Sequence, residues 1–115
     1  METKKSPRQG DLLFVPRPSH RRYTGDPKKD PSFKKNGVIR EGEATGHHHR
    51  IKDPSTADVF VPRDGMPSVS VGDRGATVVH PEHRDVELEP GTTYDVHFPR
   101  EQDLTERSRT YYVAD

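Results

Sequence analysis

The 115-residue chain contains no cysteine, so disulfides, thiolate metal sites and a cysteine nucleophile are excluded. Hydrophobic residues make up only 27% of the chain and charged residues 33%, which leaves little material for a core. We therefore expect a single domain over residues 1–115 with a compact region and poorly packed segments. A bound metal ion or a homodimer would supplement such a small core.

Long apolar runs are also missing from the sequence. No stretch approaches the roughly 20 apolar residues of a membrane-spanning helix. The charged N-terminus is not followed by the apolar stretch that a signal peptide requires. Together with the lack of cysteine, this favours a cytoplasmic protein with no membrane partner.

Convincing helical patterns are scarce, because only Gln102–Ser108 has the composition for a helical turn or two. The apolar residues instead form short runs separated by glycine and proline turns. This spacing predicts an all-β domain, either a small barrel or a cupin-like jelly roll or sandwich. Turn residues at Thr45-Gly46 and at 72–75 predict two β-hairpins. The predicted strands are Asp11–Val15, Val38–Ala44, His47–Ile51, Asp58–Val61, Ser68–Val71, Ala76–His80, Val86–Leu88 and Thr93–Phe98, with Tyr111–Val113 as a further candidate.

The net charge is zero, but basic residues crowd the first third of the chain. Residues 16–37 form a long, basic, proline-rich segment that we interpret as a loop without a packed face. One interpretation is a nucleic-acid interface, in which the cations from Arg17 to Lys35 bind phosphates and Tyr23 and Phe33 stack on bases. The alternative interpretation is a solvated loop that balances an acidic C-terminal end.

Five of the seven histidines lie in two short motifs, TGHHHR and HPEH. In a strand, alternate side chains share a face, so His47 and His49 are expected on one side and His48 on the other. His80 and His83 flank a Pro-Glu turn that would fold both rings toward one point. We expect a metal site whose ligands, in order of preference, are His47 and His49, then His83, then His80. Zinc is the first choice, with iron, manganese, nickel and copper as alternatives.

Two carboxylates accompany these motifs. Glu43 and Glu82 are candidates for a catalytic base, a further ligand, or a partner that orients an imidazole. His20 and His97 are isolated in the sequence, and we expect His97 to be a surface residue or an internally satisfied one.

The segment from Gly42 to His49 resembles the H-x-H motif of the cupin superfamily, and Glu89-Pro90-Gly91 with Tyr94 and His97 is faintly similar to its second motif. The cupin pattern has a glutamate shortly after H-x-H that this chain lacks. Nearly the whole chain resembles a set of small uncharacterised bacterial and phage-borne proteins. Their pattern is Q-G-D, E-G-E-x-T-G-H-x-H-R, H-P-E-H and P-G-x-Y, with the middle histidine variable. This resemblance implies the histidine site but no reaction.

Three functions are compatible with these patterns. The first is a metal-binding β-domain, with or without metal-dependent catalysis on a small-molecule or phosphate-containing substrate. The second is a metal-free protein that binds or cleaves RNA with paired histidines as acid and base. The third is a non-catalytic module that presents the 16–37 segment to a protein partner. Serine-nucleophile elbows and phosphate-binding loops have no matching motif.

Overall fold

A computed structural model describes residues 6–17, 26–41, 47–63 and 65–98. Within these residues the regular structure consists of nine short strands and two 3₁₀ turns, at Pro27–Lys29 and Pro54–Thr56. The strands are β1 (Arg8–Gln9), β2 (Leu12–Pro16), β3 (Val38–Glu41), β4 (His48–Ile51), β5 (Ala57–Phe60), β6 (Ser68–Val71), β7 (Ala76–His80), β8 (His83–Leu88) and β9 (Thr93–His97).

The strands form two antiparallel sheets. The first sheet has the order β1-β2-β9-β6-β5, and the second has the order β3-β4-β7-β8. The all-β prediction is confirmed, and the architecture is a small sandwich. Neither 3₁₀ turn in the described residues has the length and apolar character needed to cross a membrane as a helix.

The core lies between the two sheets and follows the alternation of side chains along each strand. In β9, Tyr94 and Val96 are buried, and in β2 Phe14 is fully buried. The rings of Phe14 and Tyr94 meet edge to face, with centroids 6.5 Å apart. The Tyr94 hydroxyl accepts a hydrogen bond of 2.9 Å from the Glu89 amide, so this buried polar group is satisfied. The second sheet contributes Ile39, Ile51, Ala76, Val78, Val86 and Leu88.

The hairpin predicted at residues 72–75 is wrong. β6 already pairs with β5 on one side and β9 on the other, so neither of its edges is available to β7. The chain instead crosses to the second sheet, where β7 pairs with β4 and β8. The hairpin predicted around Thr45-Gly46 is confirmed at the level of strand pairing, because β3 and β4 pair antiparallel; its turn lies outside the described residues.

The strand β1 was not predicted, and the bounds of several other strands differ from the prediction, two of them for a clear physical reason. β2 includes Pro16, because Pro16 pairs with Tyr94 on one side only, and β1 covers just the first two residues of β2 on the other. A proline is tolerated where no partner needs its missing amide hydrogen. β8 begins at His83 rather than Val86, since His83 is already paired with His80.

The described part of the basic segment packs against β5. The Lys34 amide donates to the Val59 carbonyl at 2.8 Å, and the Val61 amide donates to the Ser32 carbonyl at 2.7 Å. The Phe33 ring contacts Phe60, with centroids 5.8 Å apart. The expectation of a loop without a packed face is therefore wrong for residues 26–37. Residues 18–25, the candidate helix Gln102–Ser108 and the candidate strand Tyr111–Val113 lie outside the described residues.

Candidate functional site

Histidines from three strands meet where β1 approaches the ends of β4, β7 and β8. His49 in β4 is buried between the sheets, with 8% of its surface exposed, while the following Arg50 points to solvent. This alternation is the one expected from the strand geometry. His80 ends β7 and His83 begins β8, and the two are direct cross-strand partners around the Pro81-Glu82 turn. The prediction that this turn brings both rings together is confirmed.

The four imidazole rings form a chain of contacts with His80 in the middle. The ring centroid of His80 lies 4.3 Å from that of His49 and 4.6 Å from that of His83. His47 is farther out, 6.2 Å from His80, and His49 and His83 are 5.9 Å apart with nearly parallel planes. The sequence interpretation ranks His80 last among the four, whereas the structure gives it the most central position.

A buried glutamine holds the innermost histidine. The Gln9 side chain is 2% exposed. Its Nε2 donates to the Val78 carbonyl at 3.0 Å and to the Arg84 carbonyl at 2.6 Å. Because an amide nitrogen has only donors to offer, these two carbonyls fix the orientation of the amide. Its Oε1 then faces His49 Nδ1 at 2.9 Å and must accept from it.

This hydrogen bond determines the tautomer of His49. Since Gln9 Oε1 only accepts, the proton of the neutral ring is on Nδ1, and Nε2 keeps its lone pair. Burial, followed by the nearby His80, His83 and Arg40, lowers the pKa of His49 to about 4. The ring is therefore neutral at physiological pH, as a metal ligand or a general base must be.

His80 has the opposite tautomer. The Glu82 backbone amide donates to His80 Nδ1 at 3.0 Å, so the neutral ring carries its proton on Nε2. Burial and the neighbouring His83 lower the pKa of His80, and the Glu82 charge partly offsets this. The closest pair of rings therefore combines an acceptor nitrogen in His49 with a donor nitrogen in His80.

Of the two candidate carboxylates, Glu82 and Glu43, the structure describes only Glu82. The Glu82 carboxylate lies at the rim, with an oxygen 3.9 Å from His47 Nδ1, which is longer than a hydrogen bond. Glu43 lies outside the described residues, as does His20. His48 is on the other face of β4, and its Nδ1 has no hydrogen-bond partner among the described residues. His97 lies in β9, which belongs to the other sheet from β4, β7 and β8.

The His83 ring packs against the backbone at Gly10. A Cβ atom at Gly10 would lie 2.7 Å from His83 Nε2, closer than such atoms approach. Gly10 also has a φ of 59°, a conformation that side chains other than glycine rarely adopt. The residue after Gln9 therefore has to be glycine for the His83 ring to lie against the backbone.

The rings as they stand do not enclose an ion. Among residues 6–17, 26–41, 47–63 and 65–98, no three imidazole or carboxylate groups are arranged so that they hold a metal. What the cluster offers in this arrangement is one unprotonated ring nitrogen in His49, one donor nitrogen in His80 and the two further imidazoles of His47 and His83.

The sequence profile of a family described as a domain of unknown function, DUF8820, matches residues 8–98. The chain belongs to the DUF8820 family. The match includes Gln9, Gly10 and all four clustered histidines, so the DUF8820 domain contains the whole site. No curated protein and no solved structure matches the chain significantly.

Three residues of the DUF8820 site have no role in the sequence interpretation. Gln9 and Gly10 occur there only as part of the Q-G-D pattern, and Arg40 is not singled out. The available signal is the position of Gln9-Gly10 immediately before the first apolar strand. Neither residue type points to histidine chemistry by itself, because their roles depend on β1 meeting β7 and β8 in space.

Proposed function

We propose that the DUF8820 domain binds one transition-metal ion at the histidine cluster, with His49 and His83 as principal ligands and His80 and His47 completing the set. The observation that carries this proposal is the buried Gln9–His49 hydrogen bond. A histidine that binds a metal through one ring nitrogen usually donates the N–H of its other ring nitrogen to a protein acceptor. That hydrogen bond fixes the tautomer and the orientation of the ring. Zinc is the first candidate, followed by iron, manganese, nickel and copper.

The ring separations support this assignment. Two imidazoles that bind one tetrahedral zinc ion through nitrogens at about 2.0–2.1 Å have ring centres about 5 Å apart. The observed separations of 4.3, 4.6 and 5.9 Å among His49, His80 and His83 lie on both sides of that value. To bind one ion, the rings have to rotate so that their nitrogens converge. For His80 to bind through Nε2, its bond from the Glu82 amide has to be released.

An ion held by three histidines with one open position acts as a Lewis acid or lowers the pKa of a bound water to about 7. Glu82 at the rim is the described carboxylate that would accept a proton from such a water or orient His47. The proposed substrate class at this level is a small molecule with a carbonyl or phosphoryl group. The absence of cysteine agrees with a cytoplasmic setting for such a centre.

The test is elemental analysis of the untagged protein, purified without nickel resin, before and after incubation with each metal. We expect about one equivalent per chain, consistent with a single three- or four-ligand site. His49→Ala is expected to abolish binding. His48→Ala is the matched control, since it removes the adjacent histidine on the opposite face of β4, and it should retain the metal. No stoichiometric metal after reconstitution, or equal loss in both variants, would refute the proposal.

One observation favours a second candidate function, metal-free acid–base catalysis. The opposite tautomers of His49 and His80 give a neighbouring base and acid, as the cleavage of a phosphodiester requires. The nucleic-acid part of this reading has less support, because Phe33 packs on Phe60 and Arg17 donates to Asp95 at 2.9 Å. Cleavage of an RNA oligonucleotide in the presence of chelator, lost in His80→Ala, would favour it over the metal centre.

A non-catalytic interaction module and a homodimer both need a contact surface. Met66, at 37%, is the only exposed large hydrophobic residue among those the structure describes. The four histidines come from one chain, so the proposed site is complete without a second copy. Size-exclusion chromatography coupled to light scattering would settle the oligomeric state.

A further inference from the structure

A groove lies beside β3 and is lined by residues of both sheets. Its volume is about 370 Å³. Ligand pockets for small molecules occupy roughly 300–1,000 Å³, so the groove has room for a molecule of metabolite size. Its apolar walls come from both sheets: Ile39 of β3, Val61 after β5, Pro67 before β6 and Phe98 after β9.

The described part of the groove lining is positively charged. Lys34 and Arg40 are among its lining residues, and no acidic side chain is found among those described. The Arg40 guanidinium lies over the Phe98 ring, with its central carbon 4.1 Å from the ring centroid. Stacking uses the flat face of the guanidinium, and its N–H donors lie in the plane, where carboxylates and phosphates bind.

Arg40 also connects the groove with the histidines. In the β3–β4 ladder, Arg40 is the direct partner of His49. Side chains of directly paired residues in antiparallel strands lie on the same face, about 4.5–5.5 Å apart at their Cβ atoms. Arg40 therefore links the groove to the strand pair that carries the innermost imidazole of the cluster.

We propose that this groove binds a small organic anion, with a carboxylate or phosphate held by Arg40 and Lys34 and an apolar body against Phe98, Val61 and Pro67. As the identity of the substrate, this assignment rests on the proposed function of the cluster. As a binding site, it stands on the groove alone, because the residues that line it are not the histidines.

The experiment is an NMR titration of the ¹⁵N-labelled full-length protein in both metal-free and metal-loaded forms. The probes are benzoate, phenyl phosphate, inorganic phosphate and the neutral benzyl alcohol. We expect benzoate or phenyl phosphate to shift the amide signals of Ile39, Arg40 and Phe98 and to bind about tenfold or more tightly than benzyl alcohol. Comparison of benzoate with phenyl phosphate identifies the preferred anionic group.

Arg40→Gln tests the charge, and Arg50→Gln is its matched control, since Arg50 is an exposed arginine on the neighbouring strand β4. We expect Arg40→Gln to weaken aryl-anion binding by about tenfold and Arg50→Gln to leave it within about twofold. Equal binding of benzyl alcohol, equal loss in both variants, or shifts confined to residues away from the groove would overturn the proposal. Anion binding without stoichiometric metal would refute only the proposed metal function, and metal without anion binding would refute only the groove.

Discussion

The histidine cluster and the basic segment at residues 26–35 both stand out in the sequence, but the fold holds their side chains in different ways. His49 is 8% exposed and bonded to a glutamine that is 2% exposed. In the basic segment, the backbone and Phe33 are fixed against β5, whereas the four lysines Lys28, Lys29, Lys34 and Lys35 are exposed. The cluster therefore has positioned chemical groups, and the segment has a positioned backbone with solvated charges.

This difference predicts which substitutions should destabilise the protein. A buried polar network loses several interactions when one member is removed, because the remaining groups stay away from water. Removal of an exposed lysine side chain leaves no buried group without a partner. Substitutions in the two regions should therefore differ in stability as well as in ligand binding.

The largest effect is expected from Gln9→Leu, which leaves His49 Nδ1 and the carbonyls of Val78 and Arg84 without their partner. Each unsatisfied buried group costs about 1–3 kcal/mol, so we expect a loss of at least about 2 kcal/mol in urea denaturation. Metal affinity should fall by about 10–100-fold. Gln9→Glu is the sharper companion variant, because it still accepts from His49 but no longer donates to the carbonyls. Metal affinity of Gln9→Leu within twofold of wild type would contradict the role given to Gln9.

A second prediction concerns pH. The pKa of His49 is about 4 in the folded protein against 6.5 for the unperturbed group, so the unfolded chain takes up the proton first as pH falls. The metal-free protein should lose stability between pH about 6.5 and pH about 4, by up to about 2 kcal/mol at pH about 5. Thermal or urea unfolding at several pH values measures this loss. His49→Gln should flatten the dependence in that window; an unchanged slope would mean that other groups cause it.

A third prediction separates backbone strain from the histidine contact. Gly10 and Gly91 both have positive φ, but a Cβ at Gly91 meets nothing within 4 Å, whereas one at Gly10 meets His83. Both alanine variants should lose about 1–2 kcal/mol from the left-handed backbone. Only Gly10→Ala should also weaken metal binding. Equal metal affinity in the two variants would show that metal binding does not require the His83 ring to lie against the backbone at Gly10.

The smallest effect is expected in the basic segment. The triple variant Lys28→Gln, Lys29→Gln and Lys35→Gln removes exposed charges only, so unfolding free energy should change by less than about 0.5 kcal/mol per site. Metal content should be unchanged. RNA binding by the wild type that decreases with salt and is lost in this variant would instead identify the segment as a nucleic-acid interface.

Much of the fold was predictable, because alternation in runs such as Ser68–Val71 and Thr93–His97 directly reports a half-buried strand. The pairing of strands was less so. Residues 72–75 have the turn composition of a hairpin, yet β6 and β7 belong to different sheets, since composition does not say which strand edges are already occupied. In the site, the H-x-H and H-P-E-H motifs identified the imidazoles. No sequence pattern identified Gln9 or Arg40 as partners of His49.

Local sequence by itself determined which histidines share a strand face and which ones a tight turn brings together. These are short-range consequences of strand period and turn length. Only the tertiary structure decided that Gln9, forty residues before His49 in the chain, is its hydrogen-bond partner, that His80 is central, and that Arg40 adjoins a groove. Those relations depend on which strands and sheets lie next to each other, and that is determined by burial of the common core rather than by any single segment.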